Sequence, residues 1–256
     1  MSDPNRHCVL NDWGALSVAG RDATPFLQGQ LSNDVQRLDT AARALPAGLH
    51  NPQGRVLALA WLRPAPEGIW MMLPAAMLAT VAARLRRFVL RSRVTIDELS
   101  SVHVVGSRGA DGRDLQVRAD LTADHRRGEP LTTAEWRRLE IADGIPEVVP
   151  AISEAFVAQM LNLDCIDAVA WTKGCYTGQE VIARAHYRGR VKRRMQRFGH
   201  PGAPPAAGTT HTTSDGIDVQ VVCSAALSAG GSELLAVASL GMRSRDALPL
   251  PYPLPD

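Results

Sequence analysis

The sequence predicts an α+β fold that ends in a small β module, and three observations carry this. Strand-like and helix-like stretches follow one another without the regular βαβ spacing of a parallel sheet. Pro, Gly, Ala and Thr crowd Gly199–Thr213 (GHPGAPPAAGTTHTT), which reads as a linker or long loop. Beyond it, Val219–Cys223 and Leu234–Leu240 read as strands, and the closing ALPLPYPLPD as an extended tail.

The earlier elements follow in order. Trp13–Ala19 (WGALSVA) reads as a strand ended by Gly20. Asp22 is placed to cap a short helix through Phe26 and Leu27, with Pro25 in its first turn. Ala44–Leu62 reads as two strands around the turn Asn51-Pro52-Gln53-Gly54. Ile69–Leu73 is a short buried strand. Pro74 then opens a helix that places Leu78, Val81, Leu85 and Phe88 on one face. Arg84, Arg86, Arg87 and Arg91 crowd its end, where cations suit the helix dipole; the plain reading is a solvated basic face. Val94–Ile96 and Val102–Val105 read as strands. Gly106–Thr133 is polar and holds at most short strands such as Leu115–Ala119. Trp136–Val149 follows with a turn at Asp143-Gly144, and then Phe156–Leu163 as a helix or ordered loop.

Composition narrows the function classes. The chain has 256 residues, 45% hydrophobic and 21% charged. A chain of that length buries about 70–75% of its unfolded surface and is not a disordered composition. Its net charge of +2, from 28 Lys+Arg against 26 Asp+Glu, excludes a surface basic throughout and leaves room for a local patch. The most apolar stretch, Ala75–Leu90, is broken by three arginines, so no membrane span is expected. The start, MSDPNRHCVLNDWG, lacks a basic head before an apolar run, which leads to the expectation of a cytoplasmic protein. Cys8, Cys165, Cys175 and Cys223 form no C-x-x-C; they read as free thiols, and no metal site is expected.

The chemistry concentrates in Trp171–Arg197 (WTKGCYTGQEVIARAHYRGRVKRRMQR). Thr177-Gly178-Gln179-Glu180 fits a capping box, with Val181, Ile182, Ala183 and Ala185 continuing the helix. That places Cys175 two residues before the cap, beside uncapped amides and two residues from Lys173, a setting that favours a thiolate. The opposing reading is a small buried hydrophobe, as most free cysteines are. Arg184, Arg188, Arg190, Lys192, Arg193, Arg194 and Arg197 contain no acid between them and read either as a solvated edge or as an anion site. Arg184 falls four residues after Glu180, so the two can pair on one helix face.

The run KGCYTGQE, Lys173–Glu180, followed by VIAR, closely resembles the signature of the YgfZ family, folate-binding proteins related to the glycine cleavage T-protein and to a mitochondrial iron–sulfur assembly factor. Phe26–Val35 (FLQGQLSNDV), Asn51–Leu57 (NPQGRVL), Gly144–Glu147 (GIPE) and Gln159–Leu163 (QMLNL) extend the likeness, and Gly189, Lys192 and Arg193 match its basic pattern. The resemblance implies a T-protein-like ring of three modules around a central channel. Two intertwined modules would occupy residues 1–197, and a small β barrel with the tail residues 198–256. It implies tetrahydrofolate or a derivative as cofactor, and a role in making or repairing iron–sulfur clusters in client enzymes, with links to tRNA thiomethylation.

It also implies that function depends on Cys175, with Lys173 beside it. Asn33, Asp34, Gln159, Asn162, Tyr176, Gly178, Gln179, Glu180 and Arg184 are the expected folate contacts. A single cysteine supplies too few ligands for a cluster, so any cluster would be shared with a partner or another thiol. The chain departs from the T-protein in lacking an acid in Val56–Leu62. This weighs against the alternative, a folate-dependent aminomethyl transferase, and the expectation is of no turnover of its own. Two positions before Gly144, where relatives often carry an acid, stands Ala142. A third reading, an RNA-binding module on Arg184–Arg197, meets a balanced total charge and few interleaved aromatics, so nucleic acid is not the expected partner.

Overall fold

A computed structural model of the chain describes residues 5–110, 112–121, 128–189 and 191–255, so Arg190 of the basic run and the first four residues lie outside it. The chain opens on β1 (Arg6–Val9), then builds a first sheet from β2 (Trp13–Ala19), β3 (Leu45–His50), β4 (Val56–Ala65), β5 (Gly68–Pro74) and β6 (Thr95–Glu98). Its order is β3-β4-β5-β2-β6, antiparallel throughout. The run VLALAWL in β4 is apolar without alternation because both faces are covered. Leu57, Ala60 and Leu62 face a core closed by α1 (Ala23–Gln28) and α2 (Leu78–Arg86), whereas Val56, Leu59 and Trp61 face the other two modules.

Several local expectations shift. Asp22 stands at the cap of α1 without capping it; its carboxylate instead accepts the Arg93 backbone N–H at 2.8 Å. Pro74 precedes a 3-10 turn, Ala75–Met77, and the α-helix begins at Leu78. Val81 and Leu85 are buried as its face predicts, but Phe88 lies beyond the helix end and is exposed.

The second sheet has the order β8-β7-β1-β9, from β7 (His103–Gly109), β8 (Gly112–Arg118) and β9 (Glu129–Pro130), with β1 and β9 parallel. The α-helix α3 (Thr133–Ala142) packs on it. Thr132 Oγ1 accepts the Glu135 N–H, and Glu135 returns a carboxylate to the Thr132 N–H, a full capping box. The Trp136 ring lies so close to Gly106 that a Cβ there would come within 2.4 Å of it, so the strand needs glycine at that point.

The third sheet joins β10 (Arg193–His200), β11 (Thr210–Thr212), β12 (Asp218–Ala226), β13 (Ser232–Ser239) and β14 (Ala247–Leu248) in the order β11-β12-β13-β10-β14. Its antiparallel pairings run from β11 at one edge to β14 at the other, and no pair among the described residues joins the two edges. Strand β10 runs through position 197, where the sequence reading divides the modules, and takes up the start of the supposed linker. The proline-rich end is docked: β14 pairs with β10, and Tyr252 donates its hydroxyl to the Gly144 carbonyl at 2.7 Å.

A buried ion pair fastens this sheet to the middle of the chain. Arg194 donates to both oxygens of Asp164 at 2.9 Å and to the Gln159 carbonyl at 3.0 Å, with only 3% and 8% of the paired side chains exposed. Removing one partner strands a buried charge, which typically costs about 3–5 kcal/mol. Asp164→Ala is therefore expected to lower unfolding stability by that amount in urea titration, and the double variant Asp164→Leu/Arg194→Met to recover part of it.

Candidate functional site

The signature segment folds as an ordered loop, Trp171–Gly178, leading into α4 (Gln179–Tyr187). The capping box expected at Thr177 and Glu180 does not form. Gly178 is the cap, in the left-handed region at φ +83°, and no side chain caps the helix. The cause is a close approach between two turns. A Cβ on Gly178 would lie 2.6 Å from the Asn51 carbonyl oxygen, and one on Gly54 2.8 Å from Val181. The Asn51–Gly54 turn, tied internally by Asn51 Oδ1 to the N–H groups of Gln53 and Arg55, thus sets the chain's entry into α4. Glu180 turns outward and accepts from Arg184 Nη2 at 2.6 Å, an exposed i,i+4 pair.

Lys173 holds the other end of the loop. Its ammonium donates to the carbonyls of Gln28, Leu31 and Asn33 at 2.8, 2.7 and 2.7 Å, which uses all three protons. It lies 5.1 Å from the Tyr176 ring centre, and burial pushes its pKa down to about 8. Cys175 stands three residues before the cap rather than two, and it is exposed. The other thiols behave as packing groups: burial pushes Cys8 and Cys165 up to about 11 and Cys223 up to about 12. All four are free.

The residues expected to contact folate fall into two groups. Asn33, Gln159 and Asn162 are buried and bind the protein's own backbone. Asn33 donates to the Pro46 and Asp167 carbonyls, Gln159 to that of Ile182, and Asn162 to that of Met195. Asp34 accepts from Gln28 and from the Gln36 N–H. Tyr176 is buried against His50, its hydroxyl pushed up to about 12, and Gln179 opens α4. Glu180 and Arg184 are on the surface. These side chains organise and flank the Cys175 loop.

Sequence reasoning did not single out His50. It is fully buried under the loop, its ring nitrogens make no hydrogen bond of good geometry among the described residues, and burial, opposed in part by the Gly54 backbone, pushes its pKa down to about 3.

A separate narrow cleft of about 20 Å³ lies where the three modules meet, and it borders a wider, open groove of about 220 Å³ lined by Arg137, Glu147, Val149, Pro204, Pro205 and Val222. Leu10 and Trp13 come from the first two strands' junction, Trp136 and Arg137 from α3, Glu147 from the segment after it, and Cys223 from β12. Glu147 Oε1 accepts the Trp13 indole N–H at 2.9 Å; its other oxygen lies 3.4 Å from Arg137 Nε, and Arg137 also pairs with Asp12. Burial, opposed in part by Arg137, raises the Glu147 pKa above the usual carboxylate range. None of the expected folate contacts lines this cleft. The signal was present only in part: Trp136 and Glu147 stand in recognised stretches, but nothing local brings them to Trp13.

Three sheets meeting around such a cleft define the class. The fold matches that of glycine cleavage system aminomethyltransferase T from Bartonella henselae, with a TM-score of 0.67, 13% identity, and coverage of 93% of this chain and 79% of that one. No family model matches the chain. It is 32% identical over 199 residues to an uncharacterized protein of Haemophilus influenzae, covering 73% of this chain and 70% of that protein. It is 29% identical over 220 residues to the tRNA-modifying protein YgfZ of Vibrio atlanticus, covering 73% and 67%, and 26% identical over 239 residues to that of Serratia proteamaculans, covering 77% and 72%. The chain belongs to the YgfZ family.

Two outcomes follow from this geometry. Gly178→Ala puts a Cβ at positive φ against a carbonyl, so it is expected to cost more than about 1 kcal/mol of stability in denaturant titration. Glu147 carries a raised folded pKa, so the native state binds its proton more tightly than the unfolded chain. Its contribution to stability is then full at acid pH and is lost as pH rises through the folded pKa. Glu147→Gln should therefore gain stability relative to the parent as pH rises above the ordinary carboxylate range, read as a difference in urea midpoints.

Proposed function

We propose that this chain is a folate-binding protein that supports assembly or repair of iron–sulfur clusters in client enzymes of the cytoplasm, tRNA-modifying enzymes among them, with Cys175 as its functional thiol. The observation that carries the folate half is the groove beside the cleft, which brings together one largely buried carboxylate, Glu147, and one cation, Arg137. The cleft alone, about 20 Å³, holds little more than a water, while the adjoining groove, about 220 Å³, approaches the small-molecule range of about 300–1,000 Å³. A pterin has a flat ring and an edge of N–H donors. Val149, Pro204, Pro205 and Val222 supply apolar walls, Glu147 an acceptor for that edge, and Arg137 a cation for a glutamate carboxylate. The donor set therefore fits tetrahydrofolate or a derivative, which when bound would supply a one-carbon carrier. The names of the curated relatives support the tie to tRNA modification.

The thiol half rests on the exposure of Cys175 on a loop pinned at both ends. The side chains first expected to touch folate are better read as the frame of that loop. Aminomethyl transfer is the weaker reading, because Leu57–Leu62 of β4 are all buried and apolar and offer no carboxylate.

Calorimetric titration with tetrahydrofolate and 5-formyl-tetrahydrofolate tests the cleft. Saturable binding is expected, weakened about tenfold or more by Glu147→Gln, as for loss of a charge-assisted hydrogen bond, and unchanged in Cys175→Ser. Cys175→Ser should in turn lower iron–sulfur enzyme activity in cells. Absence of binding would remove the folate half, and full cellular activity of Cys175→Ser the thiol half.

A further inference from the structure

The surface beside the Cys175 loop carries a feature that neither a folate site nor a thiol requires. On α4, Arg184, Tyr187 and Arg188 fall at i, i+3 and i+4 and so share one face. Tyr187 is 66% exposed, a high value for a large aromatic side chain. Its ring is nonetheless held by neighbours. Trp171 stacks on His186 with ring centres 3.8 Å apart and planes 13° apart, and both make T-shaped contacts with Tyr187, at 6.2 and 4.6 Å. A ring held by two such contacts and still 66% exposed presents surface for stacking with little further loss of side-chain entropy.

The charge around it has one sign. From Val181 to Gly199 the chain has no acidic residue. Arg194 and Arg197 are spent on Asp164 and Glu233. Arg188 and Lys192 are exposed and make no ion pair among the described residues. Arg184 is held only by its exposed pair with Glu180, which solvent screens.

We infer that this face of α4, continued by Lys192, docks single-stranded RNA, with an unpaired base on the Tyr187 ring and backbone phosphates on Arg188 and Lys192. Stacking recognises any base by its π face, and cations follow the backbone. A paired base offers no free face to the ring, so a duplex fits this surface poorly. The same loop that carries Trp171 carries Cys175, and α4 is only about 13 Å long at 1.5 Å per residue. Docked RNA would thus touch the helix that directly follows the Cys175 loop. The inference uses no residue of the cleft and stands or falls apart from folate binding.

Fluorescence anisotropy of the full chain with a labelled 12-nucleotide single strand, and with the same strand annealed to its complement, tests it. Single-strand binding is expected to exceed duplex binding. Tyr187→Ala should weaken it about five- to tenfold, and Tyr187→Phe should retain it. Arg188→Glu/Lys192→Glu should reduce the steepness of the salt dependence by about 1.4 in log–log slope, for two lost phosphate contacts. All three positions are exposed, and unchanged melting transitions would show that the fold is kept. Equal binding of duplex and single strand, indifference to these substitutions, or binding to anionic vesicles in place of RNA would overturn the inference. Repeating the titration with tetrahydrofolate present separates its failure from that of the cleft.

Discussion

Three carbonyl oxygens, those of Gln28, Leu31 and Asn33, decide where Cys175 stands. They lie where the chain leaves α1, and carbonyls at a helix end look for donors. Lys173 meets all three with one ammonium. That contact draws the start of the signature loop onto the first module, while the Asn51–Gly54 turn, pressed against Gly178, fixes its other end. Between two anchors the chain has little choice of path. Tyr176 goes into the core and Cys175, beside it, goes out. The lysine expected to activate the thiol by proximity is therefore the residue that positions it.

The buried asparagines extend the same logic. Asn33 donates to carbonyls on both sides of the seam between the first module and the loop, and Ser32 adds a bond to the Ala168 carbonyl at 2.7 Å. Polar side chains in a sealed interior are stable only when their donors find acceptors, and here the acceptors are backbone carbonyls, Pro46 in β3 and Asp167 and Ala168 outside any strand or helix. Residues that look like ligand contacts in sequence can thus be consumed by the fold.

Much of the architecture was legible because strand patterns and turn chemistry are local. Trp13–Ala19 emerges with the boundaries expected, and Asn-Pro-Gln-Gly makes the turn it predicts. The limits of local reading show in the pattern T-x-x-E, which occurs at both Thr132 and Thr177. At Thr132 the chain approaches α3 in extended conformation, and the reciprocal bonds form. At Thr177 a turn from more than 120 positions earlier requires a left-handed glycine one residue on, and tertiary contact overrides the local preference. The loop with Cys175 was legible for the opposite reason: its residues are contiguous. The cleft was not, because Trp13, Trp136, Glu147 and Cys223 converge only when three sheets pack.

The cleft and the thiol loop share no lining residue, but they share a core. Tyr176 and Ile182, under the loop, pack in one cluster with Val56 and Leu59 of β4, Val148 beside Glu147, and Val222 at the mouth of the cleft. Interiors of this density move as units, so a ligand that bridges α3 and β12 braces the platform on which the loop rests. The size of that bracing is set by mass action alone: a ligand at a hundred times its Kd adds about 2.7 kcal/mol to the folded state. No two-state element is needed. A ligand held between α3 and β12 would thereby suppress local opening around Cys175 while leaving its exposed position as it is.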